Sequence, residues 1–541
     1  MTVDAPKDYR SAERPAYVTD TDFPPNYNPS QQPALLSYVT ARAGFPPPDP
    51  ARAFRYLELG CGAGMTLNGL AVANPGADFL GIDLNAAHVT EARRNAAVAE
   101  LTNVRYLEAS FSDVDPGELD EVNFAAISGA YSWLDPVEEQ AAMNIARQTL
   151  RPGGVFYLDH IVLPGMAAVA PLWRVMRDLT RAVPGSSLAR VKRGMEILSL
   201  LRENGAGYLS ANPFVDKILL RDLKRLEADP DATLRHLAHH ALAEFWVARY
   251  VTDVHARMAG LGFVFAGSTY LYANDLQTSL PPALHTLAGE LGDRATVELL
   301  KDFHVNRQTR RDVFVKDGTT DQARAATFLK SQLHFHLMRS PEALRRRWKE
   351  KGLGRAGSSN PIMERIVASL GDGGTTLEQI LAVPELANLP YEHVAVALGR
   401  VLAMGDVEIC KERPGTDQHT PRDGRETAGA FNLNALKRTM EEGTWSLLAA
   451  PVSGGCFNFA PAQALVLADY ALPAGTSGSE DHLVDRVALA LAQQGTAAAK
   501  SGNSSPRERA NSILKGVRHG LIPALIDLGA LPANQDIVRP R

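Results

Sequence analysis

A glycine-rich turn between an apolar strand and a helix constrains the fold of this chain more than any other feature. The run from Phe54 to Gly64 reads Phe-Arg-Tyr-Leu-Glu-Leu-Gly-Cys-Gly-Ala-Gly. Glycines permit left-handed backbone and let a ligand approach the main chain closely. Gly64 follows Gly62 by two residues, whereas the dinucleotide fingerprint places its third glycine three residues on. The turn indicates a nucleotide-like ligand at the end of a parallel strand; a purely structural turn is the other interpretation.

An acidic residue ends the next predicted strand. The segment from Asp78 to Asp83 reads Asp-Phe-Leu-Gly-Ile-Asp, and Asp83 comes 19 residues after Gly64. A carboxylate there can accept hydrogen bonds from both hydroxyls of a ribose; a solvent-facing aspartate is the alternative. Three further apolar strands are predicted at 104–109, at 122–128 and within 150–158. Because helical patterns separate the five strands, we expect a parallel sheet covered on both faces, with ligand at the strand carboxyl ends.

The short glycine spacing, with Glu58 inside the strand, resembles the first motif of class I S-adenosylmethionine (SAM) methyltransferases. The resemblance implies a Rossmann-like methyltransferase sheet that binds SAM at its edge. It also implies that adenine lies near Ser110 and Phe111, which follow the third strand. On this basis, the predicted SAM-binding residues are Glu58, Gly60, Cys61, Gly62, Gly64, Asp83, Leu84, Ser110, Phe111 and Gly129.

Two further runs resemble methyltransferases that carry a methyltransferase regulatory domain. Residues 129–134 read Gly-Ala-Tyr-Ser-Trp-Leu, which is similar to that group's signature His-Gly-Val-Tyr-Ser-Trp-Val. Residues 302–311 read Asp-Phe-His-Val-Asn-Arg-Gln-Thr-Arg-Arg, which is similar to the domain's closing run Asp-Phe-x-x-Asn-Arg-Gln-x-Arg. The group includes rickettsial protein lysine methyltransferases that modify outer-membrane proteins. The resemblance therefore implies a protein substrate.

The chain departs from that group after the fifth predicted strand. Residues 158–160 read Leu-Asp-His where the group commonly has Ser-Tyr-Asn, and residues 164–166 read Pro-Gly-Met where it has Pro-Gly-Trp. An acid, an imidazole and a thioether thus replace the aromatic and amide groups expected beside the substrate. The SAM assignment is unaffected, whereas the substrate can differ.

Three residues are candidates for catalysis. Tyr131 and Trp133 follow the fourth strand, where methyltransferases place substrate-facing groups, and could form an aromatic slot that disfavours the charge of a lysine amine. Their alternate spacing indicates that only one of them faces the cleft. His160 could act as a general base oriented by Asp159. Two core aromatics, and a hydrogen-bonded histidine behind the site, are the structural alternatives.

Composition narrows the choice further. The formal net charge of −5 is unlike the basic excess usual in a nucleic-acid binder, so no nucleic-acid partner is expected. Three cysteines indicate no disulfide framework and favour a reducing compartment. No apolar span approaches 18 residues, so we expect a cytoplasmic protein without membrane insertion. No metal is predicted, because the three histidines on one helical face lack a fourth ligand; they are His236, His239 and His240.

The predicted fold class is α/β: a Rossmann-like methyltransferase sheet with a helical insertion and mainly helical C-terminal domains, one of them winged-helix-like. Segments 262–266 and 311–316 are expected to close the sheet as antiparallel strands six and seven. The Pro-rich start is expected to cross the cleft with Tyr17 or Tyr27 at the ligand, or to form a plain extended arm. The predicted divisions are 1–165 (SAM-binding core), 166–258 (helical insertion for regulation or dimerisation), 259–325 (closing strands and the end of the regulatory domain), 326–411 (winged-helix-like domain), 412–431 (linker) and 432–541 (C-terminal domain).

We therefore predict a SAM-dependent methyltransferase that modifies lysine side chains of a protein, with a homodimer as one expected assembly. Two other interpretations stay open. One is a methyltransferase of a small molecule or glycan, which a narrow pocket lined by His160 and Met166 would favour. The other is a non-catalytic SAM-binding regulatory protein, which a cleft blocked at Tyr131 would favour.

Overall fold

The computed structural model describes most of the chain, in seven segments. These are residues 17–350, 361–371, 374–415, 422–443, 446–473, 478–493 and 505–533. The first 16 residues of the Pro-rich start and residues 416–421 of the predicted linker lie outside them.

A seven-stranded sheet forms the centre of the described structure. Its strands are β1 (Arg55–Leu59), β2 (Asp78–Asp83), β3 (Val104–Glu108), β4 (Val122–Ile127), β5 (Leu150–Ile161), β6 (Phe263–Ser268) and β7 (Thr309–Lys316). The strand order is β3-β2-β1-β4-β5-β7-β6, and β7 runs antiparallel to both of its neighbours. Strand β6 therefore runs parallel to the first five strands, so only one of the two closing strands is antiparallel. The predicted α/β methyltransferase fold class is confirmed.

Aromatic side chains hold the middle of the sheet against its helices. The ring of Tyr56 on β1 stacks against Phe79 on β2 at 5.8 Å and against Phe124 on β4 at 6.0 Å. All three side chains are almost fully buried, as expected for strands of a parallel sheet covered on both faces. The helices that introduce or follow these strands are α1 (Pro33–Arg42), α2 (Met65–Ala73), α3 (Ala86–Val98) and α4 (Pro136–Thr149).

Five helices after β5 form the insertion. They are α5 (Ala170–Leu179), α6 (Ser187–Glu203), α7 (Gly207–Ala211), α8 (Pro213–Ala228) and α9 (Pro230–Ala241). These helices share an apolar core of their own, in which Met176, Val191 and Leu237 are buried. The insertion is predicted to reach residue 258, but it ends near Ala243. The chain is not helical after this point until α10 (Val251–Gly260), which packs on β6.

Helices α11 (Leu276–Ser279), α12 (His285–Leu291) and α13 (Arg294–Val305) lead from β6 to β7. A buried ion network fixes α13 to β7. Arg310 on β7 donates hydrogen bonds to Asp302 and Glu298 of α13 at 2.8 and 2.7 Å, and to Asp312 at 2.9 Å. Burial alone would raise the pKa of Asp312, but the Arg310 guanidinium and two histidine hydrogen bonds hold it well below its usual range. The run from Asp302 to Arg311 thus has a structural role, because it fixes α13 to β7.

The middle part of the chain pairs helices with a small antiparallel sheet. Its elements are α14 (Gln322–Ser331), β8 (His334–Leu337), α15 (Pro341–Glu350), α16 (Pro361–Ser369), β9 (Thr375–Thr376), α17 (Leu377–Leu381), α18 (Pro384–Ala387), α19 (Tyr391–Ala403) and β10 (Val407–Cys410). The sheet order is β10-β8-β9. The central strand β8 therefore precedes helices α15 to α19 in the chain.

The C-terminal part is mainly helical and packs against the sheet's helix α2. Its elements are α20 (Arg422–Glu442), β11 (Ser446–Ala450), β12 (Gly455–Phe459), α21 (Pro461–Ala471), α22 (Glu480–Gln493), α23 (Pro506–Gly516) and α24 (Ile522–Asp527). Helix α20 occupies half of the predicted linker 412–431, which is therefore shorter than expected. Buried Lys411 donates to Asn74 Oδ1 at 2.8 Å, and Asn74 donates to Gly454 O at 2.8 Å. These bonds join the end of α2 to the C-terminal part.

Within the described ranges, no helix has both the length and the apolar composition needed to cross a bilayer.

The ion network predicts a large stability effect at one position. Arg310→Met should lower the free energy of unfolding by about 3–5 kcal/mol, because the buried carboxylates of Glu298, Asp302 and Asp312 lose their shared counter-charge. Urea unfolding followed by tryptophan fluorescence measures the change. Arg193→Met is the matched control, since it removes an exposed pair with Glu196 that is worth about 0–1 kcal/mol. Equal stability of the two variants would contradict this role of the ion network.

Candidate active site

A cavity of about 330 Å³ lies at the carboxyl ends of the parallel strands. Its wall comes from the loops that follow β1, β2, β3 and β4, from the end of β5, from the extended segment before α1, and from the end of α9. This is the edge of an open α/β sheet at which ligands bind, and the volume falls in the range of small-molecule sites.

The turn between β1 and α2 places bare backbone at the cavity floor. Gly60, Gly62 and Gly64 have φ values of +77°, +54° and +69°, which L-residues with side chains rarely adopt. Gly60 and Gly62 line the cavity, and a Cβ on Gly62 would meet only open space. Gly64 has another role: a Cβ there would lie 2.5 Å from the Tyr106 hydroxyl. Gly64 therefore permits close packing of α2 on β3, and unlike the other two glycines it is not among the described lining residues.

The carboxylate of Asp83 organises the turn from the end of β2. Oδ2 accepts the backbone N–H of Gly62 at 2.8 Å, and Oδ1 accepts that of Asn85 at 2.9 Å. Oδ1 also lies 3.1 Å from His88 Nδ1. Backbone N–H groups therefore hold the Asp83 carboxylate in place. Asp83 also lines the cavity, so its side chain can meet a ligand. This arrangement suits an acceptor for ribose hydroxyls.

Glu58 lines the same cavity with a carboxyl oxygen that has no hydrogen-bond partner in the described part of the chain. Its Oε1 accepts a hydrogen bond from Gln31 Nε2 at 2.7 Å, whereas Oε2 is buried and has no hydrogen-bond partner within the described part of the chain. Burial raises the pKa of Glu58 to about 8. A buried carboxyl without a full set of partners is costly, and the ammonium group of an amino-acid ligand would satisfy it.

Apolar side chains form the end of the cavity next to β2 and β3. Leu84, Ala109 and Phe111 line it. Leu84 is 43% exposed, which leaves an open apolar face that suits a planar ring. Glu138 on α4 fixes the loop by accepting the Phe111 N–H at 2.9 Å. Ser110, predicted to contact SAM, is not part of the described lining; its hydroxyl pairs with that of Ser112 at 3.2 Å.

The extended segment before α1, residues 17–28, closes one side of the cavity. The N–H of Phe23 donates to His88 Nε2 at 2.8 Å, so the Nδ1 proton of His88 is left to donate to Asp83. The Phe23 ring packs against His239 with centroids 5.6 Å apart. Tyr17 lines the cavity, whereas the Tyr27 hydroxyl accepts the buried N–H of Cys456 at 2.8 Å. Tyr17 is thus the tyrosine at the ligand side, and Phe23 lines the same cavity although no sequence pattern indicates it.

Polar groups gather at the opposite end, beside β5 and β7. Asn28 Nδ2 donates to Ser128 Oγ at 2.8 Å and to the Tyr157 hydroxyl at 3.1 Å. Asp159 Oδ2 lies 3.4 Å from Arg311 Nε, and both residues line the cavity. Burial raises the pKa of Asp159, against the lowering effect of Arg311. Asn28, Ser128 and Arg311 were not predicted to contribute, because they lie far apart along the chain.

The structure separates the three predicted catalytic residues. Trp133 lines the cavity, with its indole N–H directed at His240 O at 3.4 Å. Tyr131 is buried against the ring of His160, with centroids 6.2 Å apart, and His160 Nε2 lies 3.4 Å from Asp312. Neither is among the described lining residues. A 3-10 turn at 131–133 and the alternation of β5 place both behind the wall, so the structure shows no contact that supports their predicted direct roles.

The histidines of α9 are uncharged at neutral pH. Burial, aided by neighbouring cations, lowers the pKa of His236 to about 4, and burial with His236 beside it lowers the pKa of His240 to about 3. His240 lines the cavity edge-on to Trp133, with centroids 4.9 Å apart. Across the described segments, no cluster of three or more His, Cys, Asp or Glu side chains could hold a metal ion.

Comparison with known families identifies the two halves of the site. Residues 51–205 match a family described as a methyltransferase domain, and residues 234–316 match one described as a predicted methyltransferase regulatory domain. The chain is a SAM-dependent methyltransferase with a regulatory domain. The second match ends at Lys316, the last residue of β7, so the regulatory domain contributes Arg311 to the cavity of the methyltransferase domain.

Individual relatives extend over more of the methyltransferase. An uncharacterized protein from Synechocystis is 25% identical over 438 residues, which cover 81% of this chain and 84% of the relative. An uncharacterized protein from Rickettsia prowazekii is 25% identical over 260 residues, or 47% of this chain and 45% of that protein. The solved structure of PKMT2 from Rickettsia typhi superposes with a TM-score of 0.60 at 16% identity, covering 94% of this chain and 99% of that one. At this identity, the likeness shows a shared fold.

The residues of the cavity fit SAM, which supplies a methyl group on a positively charged sulfur. We propose that Asp83 accepts the ribose hydroxyls, that Glu58 accepts the ammonium group, and that Leu84 and Phe111 cover the adenine. Of the other predicted contacts, Gly60, Cys61, Gly62 and Gly129 line the cavity. The unpartnered Oε2 of Glu58 is the feature that most directly calls for a cationic ligand group.

Proton release should accompany SAM binding. At pH 7 the Glu58 carboxyl, with its pKa near 8, holds a proton in the free protein. An ammonium group beside it favours the ionised form, so binding releases a proton and affinity rises from pH 6 to pH 7.5. Calorimetry in buffers of different ionisation enthalpy measures this release. Glu58→Gln should bind more weakly and release none; equal release by both proteins would contradict the assignment.

Asp83 should dominate the affinity for the nucleoside. Asp83→Asn should weaken binding of S-adenosylhomocysteine by about 10-fold to 100-fold, because a hydrogen bond to a charged group contributes about 1.5–3 kcal/mol. Calorimetry reports the dissociation constant. Asp78→Asn is the control, since that carboxylate is 70% exposed at the far end of the same strand. An Asp83→Asn protein that binds as tightly as the control would exclude the ribose role.

Proposed function

We propose that this methyltransferase transfers methyl groups to lysine side chains of a protein. The observation that carries the proposal is the composition of the cavity beside β4 and β5. The Trp133 ring and the neutral imidazole of His240 form one wall there, and the Asp159 carboxylate lies in the same cavity. The part of the wall formed by Trp133 and His240 carries no positive charge, and an aromatic face attracts a methylated cation. The guanidinium of Arg311 lies beside Asp159 in the same cavity.

The surface of the insertion supports a macromolecular acceptor. Several apolar side chains on its helices are exposed to solvent: Val175, Leu179, Leu200, Leu201 and Tyr208. Contiguous exposed apolar groups mark contact surfaces for other proteins, and we propose that these side chains form one. Neither His160 nor Met166 is among the described residues that line this cavity, so this cavity is not the narrow pocket that would favour a small-molecule acceptor.

Similarity over the full length adds a second line of support. PKMT2 from Rickettsia typhi, which has also been solved in complex with AdoHcy, superposes on 94% of this chain, a share that extends well beyond the sheet. Rickettsial protein lysine methyltransferases are the group that the sequence motifs resemble. We further propose a cytoplasmic location, since all three cysteines are buried and unpaired.

The residues of the chain would act mainly by orientation. Methyl transfer needs the acceptor lone pair in line with the S–CH3 bond, and alignment of this kind can lower a barrier by up to about 7–11 kcal/mol. Asp83, Glu58 and Phe111 would fix the donor from one side. Trp133 would confine the acceptor from the other, and the extended segment 17–28 would exclude water.

The same segment also favours a second candidate, a small-molecule acceptor. Residues 17–28 cover part of the cavity, and Tyr17 and Phe23 line it. A cover of this kind suits an acceptor that is enclosed entirely. The two candidates differ in where the transferred methyl group is found.

Incubation with tritiated SAM and a lysate of the source cells separates the candidates. We expect label in acid-precipitated protein, released as methylated lysine on hydrolysis. Trp133→Ala should lose at least about tenfold in rate while S-adenosylhomocysteine affinity stays unchanged, because the slot loses its aromatic wall; Trp133→Phe is the matched control and should keep most of the activity. Label confined to the solvent-extractable fraction would reject the protein-lysine assignment and support the small-molecule candidate.

A further inference from the structure

Asp159 and Arg311 occupy a distinct place in the cavity. The lining begins at β2 and β3 with Asp83, Leu84 and Phe111 and ends at β5 and β7. The strand order is β2-β1-β4-β5-β7, so β7 lies four strand spacings from β2, or roughly 19 Å. The nucleoside residues lie at the first end. The Asp159–Arg311 pair therefore lies at the end that faces the acceptor.

The pair is built into the sheet. Asp159 and Arg311 are direct partners across the β5–β7 ladder, so both side chains leave the same face of the sheet. Arg311 Nη1 also donates to Ser30 Oγ at 3.0 Å, and its guanidinium lies 5.1 Å from the ring centre of Tyr270. The Tyr157 hydroxyl approaches Asp159 Oδ2 at 3.5 Å. These contacts fix one carboxylate and one guanidinium side by side at the cavity wall.

Other charged groups near the pair already have partners or an assigned role. His160, the next residue along β5, points to the opposite face and lies 3.4 Å from Asp312. Glu58 stands two strands away, beyond β4, where its Oε1 is held by Gln31 and its Oε2 is assigned above to the ammonium group of SAM. Asp159 is therefore the carboxylate in position to meet an acceptor.

We propose that Asp159 takes the proton of an amine acceptor and that Arg311 is its positioning residue. This inference rests on the proposed function only in that the acceptor is an amine. The acceptor ammonium gives one proton to the Asp159 carboxylate, and the freed lone pair forms the N–CH3 bond. The S–CH3 bond breaks with its electron pair left on sulfur, the product carries the positive charge, and the Asp159 proton passes to water.

The guanidinium makes the pair selective for the uncharged amine. A carboxylate alone would bind an ammonium group and hold it protonated, whereas a fixed positive charge beside it disfavours the ammonium form. The amine must lose its proton to react, because the nitrogen lone pair is the nucleophile. Arg311 thus weakens ground-state binding of the cation and favours the reactive form.

Binding of n-butylammonium to the protein saturated with S-adenosylhomocysteine tests the proposal. Calorimetry compares the wild type with Asp159→Asn and Arg311→Gln, and Asp78→Asn serves as the control. Asp159→Asn should weaken butylammonium binding about tenfold or more. Arg311→Gln should tighten it severalfold, because the repelling charge is gone. Neither variant should change the affinity for S-adenosylhomocysteine.

Opposite shifts in the two variants support the pair, since a merely structural role would weaken binding in both. No binding by the wild type, unchanged binding in Asp159→Asn, or parallel losses in both variants would overturn the proposal. A loss of S-adenosylhomocysteine affinity in Asp159→Asn would instead assign Asp159 to the donor. The result is independent of the lysate experiment, because a small amine acceptor would satisfy this test and fail that one.

Discussion

The hydrogen bonds of the Asp83 carboxylate are the constraint on which the rest of the site depends. One side chain accepts the N–H groups of Gly62 and Asn85 and meets His88, so it fixes the glycine turn to the end of β2. His88 in turn accepts the N–H of Phe23 from the covering segment. A single carboxylate thereby connects the floor and the cover of the cavity. Hydrogen bonds to a charged acceptor are the stronger kind, which suits a position that orders three separate parts of the chain.

The parts beyond the sheet support this site at a distance. Tyr27, at the end of the covering segment, accepts the N–H of Cys456 on β12, and Gly69 of α2 lies so close to Cys456 that a Cβ there would be 2.8 Å from its Sγ. The C-terminal part thus holds both the cover and the helix that follows the glycine turn. On the other side, the Arg310 network attaches α13 to β7 and so sets the position of Arg311. The region that matches the regulatory domain thus borders the cavity through that strand.

Local patterns in the sequence predicted the glycine turn and the acidic residue that meets it. The glycine turn and the acid 19 residues later are set by short-range geometry, and Gly62 and Asp83 meet as the spacing requires. The acceptor side could not be found in the same way, since Asn28, Asp159 and Arg311 come together only through the fold. The sequence predicts His160 as a general base that Asp159 orients, whereas of these two neighbours it is Asp159 that lines the cavity. Successive side chains on a strand point to opposite faces, and the sequence alone does not say which face borders the cavity.

A crystal structure of the protein with S-adenosylhomocysteine tests the central claim most directly. The account predicts ribose hydroxyls at the Asp83 carboxylate, the ammonium group at Glu58 Oε2, and the sulfur directed toward the end of the cavity that holds Trp133 and Asp159. A ligand bound elsewhere, or one turned so that its ribose lies at Asp159, would contradict it.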